Sequence, residues 1–200
     1  MQALPIFFNI QQRLCVVIGG GDVATRKVTM LLKASADITL VSPELCHELQ
    51  AMVDAQKIRH LAAEFSPEQL TGACLVIAAT DDEAVNVAVS ITAKALNIPV
   101  NVVDAPDLCT FTMGSVIDRS PVVIAVSSEG NAPVLARYIR TKIETMLPAG
   151  YGRIAAIAGE FRDQVKAKFA TTQLRRRFWE DVLQGPMVER VLSGQEEAAR

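Results

Sequence analysis

The stretch that most constrains this chain is Val16-Val17-Ile18-Gly19-Gly20-Gly21-Asp22-Val23-Ala24, where a short apolar run breaks into three glycines and then turns helical. The run from Leu14 to Ile18 reads as a buried strand. Gly19 makes the tight turn after it, Gly21 lets a pyrophosphate approach the backbone, and Ala24 lets the next helix pack close to the sheet. That helix is predicted over Asp22 to Lys33, with Val23, Val28, Leu31 and Leu32 on one side. Its first N–H groups have no partner inside the helix and, with the helix dipole, favour an anion. The G-x-G-x-x-A spacing therefore predicts a dinucleotide site at Gly19, Gly21, Asp22 and Val23. A purely structural glycine turn is the competing reading of these residues alone.

Strand and helix then alternate up to residue 113. Strands are predicted at Asp37 to Val41, Lys57 to Ala62, Cys74 to Ala79 and Pro99 to Val103. Between them come helices at Pro43 to Ala55, after the Ser66-Pro67-Glu68-Gln69 capping box, and from Thr80-Asp81-Asp82 to about Leu96. Such alternation with short loops predicts an α/β fold, a Rossmann-like doubly wound parallel sheet over 1–113, with ligands at the carboxyl ends of the strands. Those ends add Ser42, Pro43, Thr80, Asp81 and Asp104 to the candidate crevice. An acidic ribose ligand is expected about twenty residues beyond the glycines. Here Val41-Ser42-Pro43 stands in that place with Glu44 next, and no arginine is there to hold a 2′-phosphate, so NAD is favoured over NADP.

After residue 113 the pattern changes. Ser115 to Ile117 and Val122 to Val126 flank a turn at Asp118-Arg119-Ser120-Pro121, a predicted hairpin. The loop Ser127 to Pro133 leads into a helix with Leu135, Tyr138, Ile139, Ile143 and Met146 on one face, and helical segments follow at 154–169, 174–183 and 187–192. A hairpin and helix too small for their own core suggest dimerisation. Three regions result: 1–113 for the cofactor, 114–147 for the dimer contact and 148–200 as a C-terminal helical domain. Ser128, Gly130, Asn131 and Pro133 form a loop and helix start suited to carboxylates, and Arg137 follows one turn later.

The net charge of −2 hides an asymmetry: Arg137 to Arg177 holds ten basic residues against three acidic ones. A basic stretch in an otherwise acidic chain suits a small polyanion better than nucleic acid, because the remaining field repels a phosphate backbone. No apolar run approaches the roughly 20 residues of a membrane span, and the start lacks a basic signal region, so a cytoplasmic chain is expected. Cys15, Cys46, Cys74 and Cys109 show no C-x-x-C pair and no histidine spacing for zinc, and no protein-held metal is expected.

Taken together, Leu4-Pro5-Ile6-Phe7, Gly19 to Ala24 with Arg26-Lys27, Ala78 to Asp82, Asn101 to Asp104, Ser127 to Arg137 and Arg175-Arg176-Arg177-Phe178-Trp179 resemble the siroheme synthase family. The likeness is to its bifunctional precorrin-2 dehydrogenase and sirohydrochlorin ferrochelatase module, and it runs through essentially the whole chain. It implies a homodimer that oxidises precorrin-2 with NAD and takes ferrous iron as a substrate. It also implies that Asp104 is the catalytic aspartate of both steps, with Asn101 beside it as a substrate contact. The polycarboxylate substrate fits the basic second half, and an iron held by substrate nitrogens fits the lack of a His/Cys cluster. Many members continue into a methyltransferase domain, so this chain is expected to be a stand-alone bifunctional enzyme or a piece of a longer one. The rival readings are another NAD-dependent oxidoreductase and a dinucleotide-sensing regulatory module; the latter expects a DNA-binding element that the helices do not display.

Overall fold

The apolar strands of the first 113 residues bury both faces, and this decides how they assemble. The computed structural model describes residues 3–197 and divides into two units, Met1–Met113 and Gly114–Arg200. In the first, β1 (Leu14–Ile18), α1 (Asp22–Lys33), β2 (Asp37–Val41), α2 (His47–Asp54), β3 (Arg59–Leu61), β4 (Leu75–Ala78), α3 (Glu83–Ala95) and β5 (Val100–Val102) follow in order. The strands form one parallel sheet in the order β3-β2-β1-β4-β5, with Ile18 level with Val41 on one side and Ala78 on the other. This is the Rossmann-like arrangement. Alternate residues of β1 enter different cores: Cys15 and Val17 join Ala24, Val28 and Leu31 of α1, while Val16 and Ile18 join Val89 and Ala93 of α3. The strand order reverses between β1 and β4, which opens a crevice at their carboxyl ends.

Several boundaries differ from those the sequence predicts. α2 begins at His47 and not at Pro43, because residues 42–46 tie the loop to the glycine turn through a Cys46 N–H to Gly20 carbonyl bond of 2.8 Å. β3 keeps three residues at the open edge of the sheet, where Arg59 pairs with Asp37 at 2.7 Å. The capping box yields one 3₁₀ turn, Pro67–Leu70, with the Ser66 N–H donating to Gln69 Oε1 at 2.9 Å. β5 stops at Val102, and Asp104 lies two residues beyond it.

In the second unit β6 (Ser115–Arg119) and β7 (Val122–Val126) pair antiparallel, Ser115 opposite Val126 and Arg119 opposite Val122. The first strand runs two residues further into the turn than the sequence suggests, because the Asp118 carboxylate accepts from the Ser120 N–H at 2.9 Å and hydroxyl at 2.6 Å. α4 (Pro133–Met146) packs on both strands with Ala136 buried. α5 (Gly150–Glu160), α6 (Arg162–Lys168), α7 (Thr172–Gln184) and α8 (Pro186–Leu192) follow, with Ile154, Ile157 and Val191 sharing a small core. A Cβ on Gly152 would overlap the Arg119 carbonyl oxygen, so glycine there lets α5 meet the hairpin backbone. No described helix is long and apolar enough to cross a membrane.

Candidate functional site

The three glycines do three different jobs. Gly19 sits at φ +120°, a conformation L side chains rarely adopt, and a Cβ on it would overlap the Ala79 carbonyl oxygen. A Cβ on Gly20 would overlap the Glu44 carbonyl oxygen and come 2.6 Å from Ser42 Oγ. Around Gly21 nothing lies within 4 Å of such an atom. The fold itself requires the first two glycines, and the third leaves open space at the head of α1. Gly21 is the N-cap of that twelve-residue helix and supplies no side-chain cap, so the first-turn N–H groups at Asp22 and Val23 keep their capacity for an anion. This is the cradle a dinucleotide pyrophosphate fits.

At the end of β2, Ser42 is buried and its hydroxyl donates to the Glu44 carbonyl at 2.7 Å, while His60 Nε2 lies 2.9 Å from the Ser42 carbonyl. The one hydroxyl proton of Ser42 is thus used by the loop, which leaves its oxygen to act as an acceptor. Pro43 and Glu44 lie beside it, exposed. Asp22, Cys46 and Glu48 bring their ligand atoms within 4.8 Å of one another, and Ser42 to Gln50 contains no lysine or arginine. At the end of β4, Thr80 Oγ1 accepts from the Asp82 N–H at 3.1 Å, and the Asp82 carboxylate caps α3 through the Val85 N–H at 3.1 Å. Asp81 stays exposed. Asn86 donates to the Thr80 carbonyl at 2.8 Å, and its buried Oδ1 has no partner among the described residues.

Asp104 is exposed and sits at φ +57°, the left-handed region that non-glycine residues enter infrequently, aspartate more readily than most. The Val103 N–H before it donates to the Ala78 carbonyl at 3.0 Å, which ties this turn to the end of β4. Asn101 is buried, and its amide NH₂ donates to the Phe111 carbonyl at 3.1 Å and lies 3.6 Å from Cys109 Sγ. The NH₂ of that amide is therefore engaged by the segment after Asp104.

Lys27 carries no role in the sequence reading beyond the family motif, and the structure gives it one of the distinctive environments of this unit. It is half-buried, its ammonium donates to Met113 Sδ at 3.7 Å, and burial with the nearby Arg26 charge lowers its pKa, while Asp104 and Cys109 act to raise it. The signal lies in the spacing: Ala24, Lys27, Val28 and Leu31 fall at i, i+3, i+4 and i+7, so a lysine occupies the apolar stripe of α1.

In the second unit the Ser127 to Pro133 loop closes on itself. Ser128 Oγ accepts from the Ala132 N–H at 3.1 Å, and the Ser128 carbonyl accepts from the Asn131 N–H at 3.0 Å and from Asn131 Nδ2 at 3.2 Å. Gly130 turns the chain at φ +83°, Pro133 opens α4, and Arg137 is exposed one turn later. Arg175 has structural work, with Nε on the Phe169 carbonyl at 2.9 Å and Nη2 on the Ala170 carbonyl at 3.0 Å. Arg176 pairs with Glu180 at 2.7 Å.

Comparison with known proteins follows the same divisions. Residues 6–115 match the family described as "Putative NAD(P)-binding", 119–146 the sirohaem biosynthesis protein central region, and 150–200 the sirohaem synthase dimerisation region. The last lies C-terminal to the hairpin and α4, to which the sequence reading gives the dimer contact. Proteins named siroheme synthase from Methylobacillus flagellatus and Nitrosospira multiformis are 62% and 56% identical over this whole chain, which spans 43% of the length of each. A solved structure of SirC, precorrin-2 dehydrogenase, is similar in fold, with a TM-score of 0.74 over 98% of this chain and all of that one at 20% identity. With an NAD(P)-binding region followed by both sirohaem-specific regions, the chain belongs to the siroheme synthase family.

Proposed function

We propose that this chain binds NAD at the carboxyl ends of β1, β2 and β4 and oxidises precorrin-2 to sirohydrochlorin, with Asp104 as the base. The observation that carries this is the pairing in one unit of an open cradle at Gly21 with an aspartate held in a left-handed turn at a strand end of the same sheet. The names of the relatives and of the similar solved structure support the same reaction. Gly19, Gly21, Asp22 and Val23 would hold the pyrophosphate, while Pro43 and Glu44, with the backbone of Ser42, would flank the adenosine ribose, and Thr80 and Asp81 the opposite wall. Glu44 and Glu48, in a stretch from Ser42 to Gln50 that holds no lysine or arginine, would repel a 2′-phosphate, which supports NAD over NADP.

NAD, when bound, supplies the hydride acceptor. The carboxylate of Asp104 takes the proton released as the substrate loses hydride, and the exposed turn lets it reach a ligand lying across the crevice. For the second activity, ferrous iron is a substrate: the same carboxylate would take pyrrole protons as the metal enters the ring. In the loop that Asn131 and Pro133 shape, the N–H groups of Ser128 and Gly130, together with the charge of Arg137, are proposed for substrate carboxylates. The chain is proposed to act as a homodimer in the cytoplasm, with the exposed apolar residues Leu135, Tyr138 and Ile139 of α4 in the contact. Calorimetric titration with NAD and NADP, followed by incubation with precorrin-2 and NAD, tests the reading. Tighter NAD binding with formation of NADH and sirohydrochlorin is expected; absence of both products would overturn it.

A further inference from the structure

β5 is the outer strand of its sheet, so the N–H and C=O groups of Val100 and Val102 that point away from β4 need partners from elsewhere. Residues 109–111 return along that edge and supply them largely through side chains. Thr110 Oγ1 accepts from the Val100 N–H at 2.8 Å while the Thr110 N–H donates to the Val100 carbonyl at 2.8 Å. One rung further on, Cys109 Sγ accepts from the Val102 N–H at 3.1 Å, and its S–H faces the Val102 carbonyl at 3.2 Å and the Ala105 carbonyl at 3.4 Å. Val102 and Ala105 bracket Asp104. The turn's own backbone bond, Ala105 N–H to Val102 carbonyl, is long at 3.4 Å, so the sulfur joins two sides that the backbone holds weakly.

We propose that Cys109 is a positioning residue for Asp104, its thiol bridging Val102 and Ala105 so that the carboxylate is presented from a left-handed turn. The thiol is half-buried and its hydrogen-bonding capacity is used by this turn and by Asn101 Nδ2 at 3.6 Å. Without the bridge, the penalty on a left-handed aspartate is unopposed on this side and the turn relaxes toward ordinary extended backbone. Serine, which can make the same donor and acceptor contacts, substitutes for the thiol; alanine does not. The functional part of this inference rests on the dehydrogenase reading above.

The test compares Cys109→Ala with Cys109→Ser in the full chain, by backbone chemical shifts and scalar couplings of Asp104 and by steady-state kinetics with precorrin-2 and NAD. In Cys109→Ala the left-handed signature of Asp104 is expected to disappear. A displaced base should lower kcat by on the order of 10²-fold with KM for NAD unchanged. Cys109→Ser should keep the signature and most of the rate. Should the alanine variant not fold, Cys109→Val, which fills the same space without the hydrogen bonds, takes its place. Retention of the signature without the thiol, an unchanged kcat, or equal loss in the serine variant would overturn the proposal. A wild-type chain that makes no NADH from precorrin-2 would sink the dehydrogenase reading instead, and the Asp104 signature would still decide the role of Cys109.

Discussion

A side chain at Gly20 and one at Gly21 are expected to have opposite consequences, although the two glycines are neighbours. Gly20→Ala drives a methyl group into the Glu44 carbonyl, so it should cost roughly 1–3 kcal/mol in denaturant unfolding, the usual range for overpacking. A Cβ at Gly21 has no protein atom within 4 Å, so Gly21→Asp should leave the unfolding midpoint in place, while bulk and negative charge at the helix start abolish NAD binding. Wild-type NAD affinity in folded Gly21→Asp would remove the cradle from the account. The sequence points to Gly19 and Gly21 and is silent on Gly20, because the partner of Gly20 is a carbonyl on the loop after β2 that only folding brings close. Cys15 carries a pH prediction. Burial, with Cys74 3.8 Å away, pushes its thiol from 9.0 up to about 12. The folded chain therefore holds this proton where the unfolded chain has lost it; the stabilisation is complete below pH 9 and is lost as pH rises toward 12. The urea midpoint should fall across that window in the wild type and fall less in Cys15→Ala; parallel curves would contradict the assignment.

At the scale of elements, the parts readable from sequence are those whose cause is local. β1, β2, α1 and α4 begin and end where the apolar periodicity, the glycine turn and Pro133 place them. α2, β3 and β5 do not, because loop anchoring at Gly20, an open sheet edge and the returning 109–111 segment set their ends. The helix predicted over 154–169 divides at Phe161, which ends α5, opens α6 and packs on the Ile154 and Ile157 core, a contact no periodicity reveals. The same distinction holds for the site. The glycine turn and Asp104 follow from strand ends, whereas the engagement of Asn101 and Ser42 and the placement of Lys27 depend on partners that the fold brings to them. α3 offers an element-scale prediction. Asp82→Ala removes the carboxylate that caps Val85 N–H, and should cost about 0.5–2 kcal/mol of stability. Asp81→Ala, next to it and exposed, should be close to neutral in the same unfolding experiment.

For the whole molecule, the exposed apolar residues of α4, Val134, Leu135, Tyr138 and Met146, are more than half accessible in the single chain. Together with the matched dimerisation region they predict a dimer mass in light scattering at micromolar concentration, and Tyr138→Glu should shift that mass toward the monomer. A monomeric wild type would remove the dimer from the account. An NAD cradle and a base at Asp104 are proposed to perform the oxidation together, and Asp104→Ala separates the two. Alanine removes the carboxylate while leaving Gly19 to Val23 untouched, so calorimetry should return the wild-type affinity for NAD. In the same preparation NADH formation from precorrin-2 should fall by about 10²–10⁴-fold, the usual contribution of a general base. NADH formation at the wild-type rate, with NAD bound equally well, would contradict the account and leave Asp104 as a turn residue.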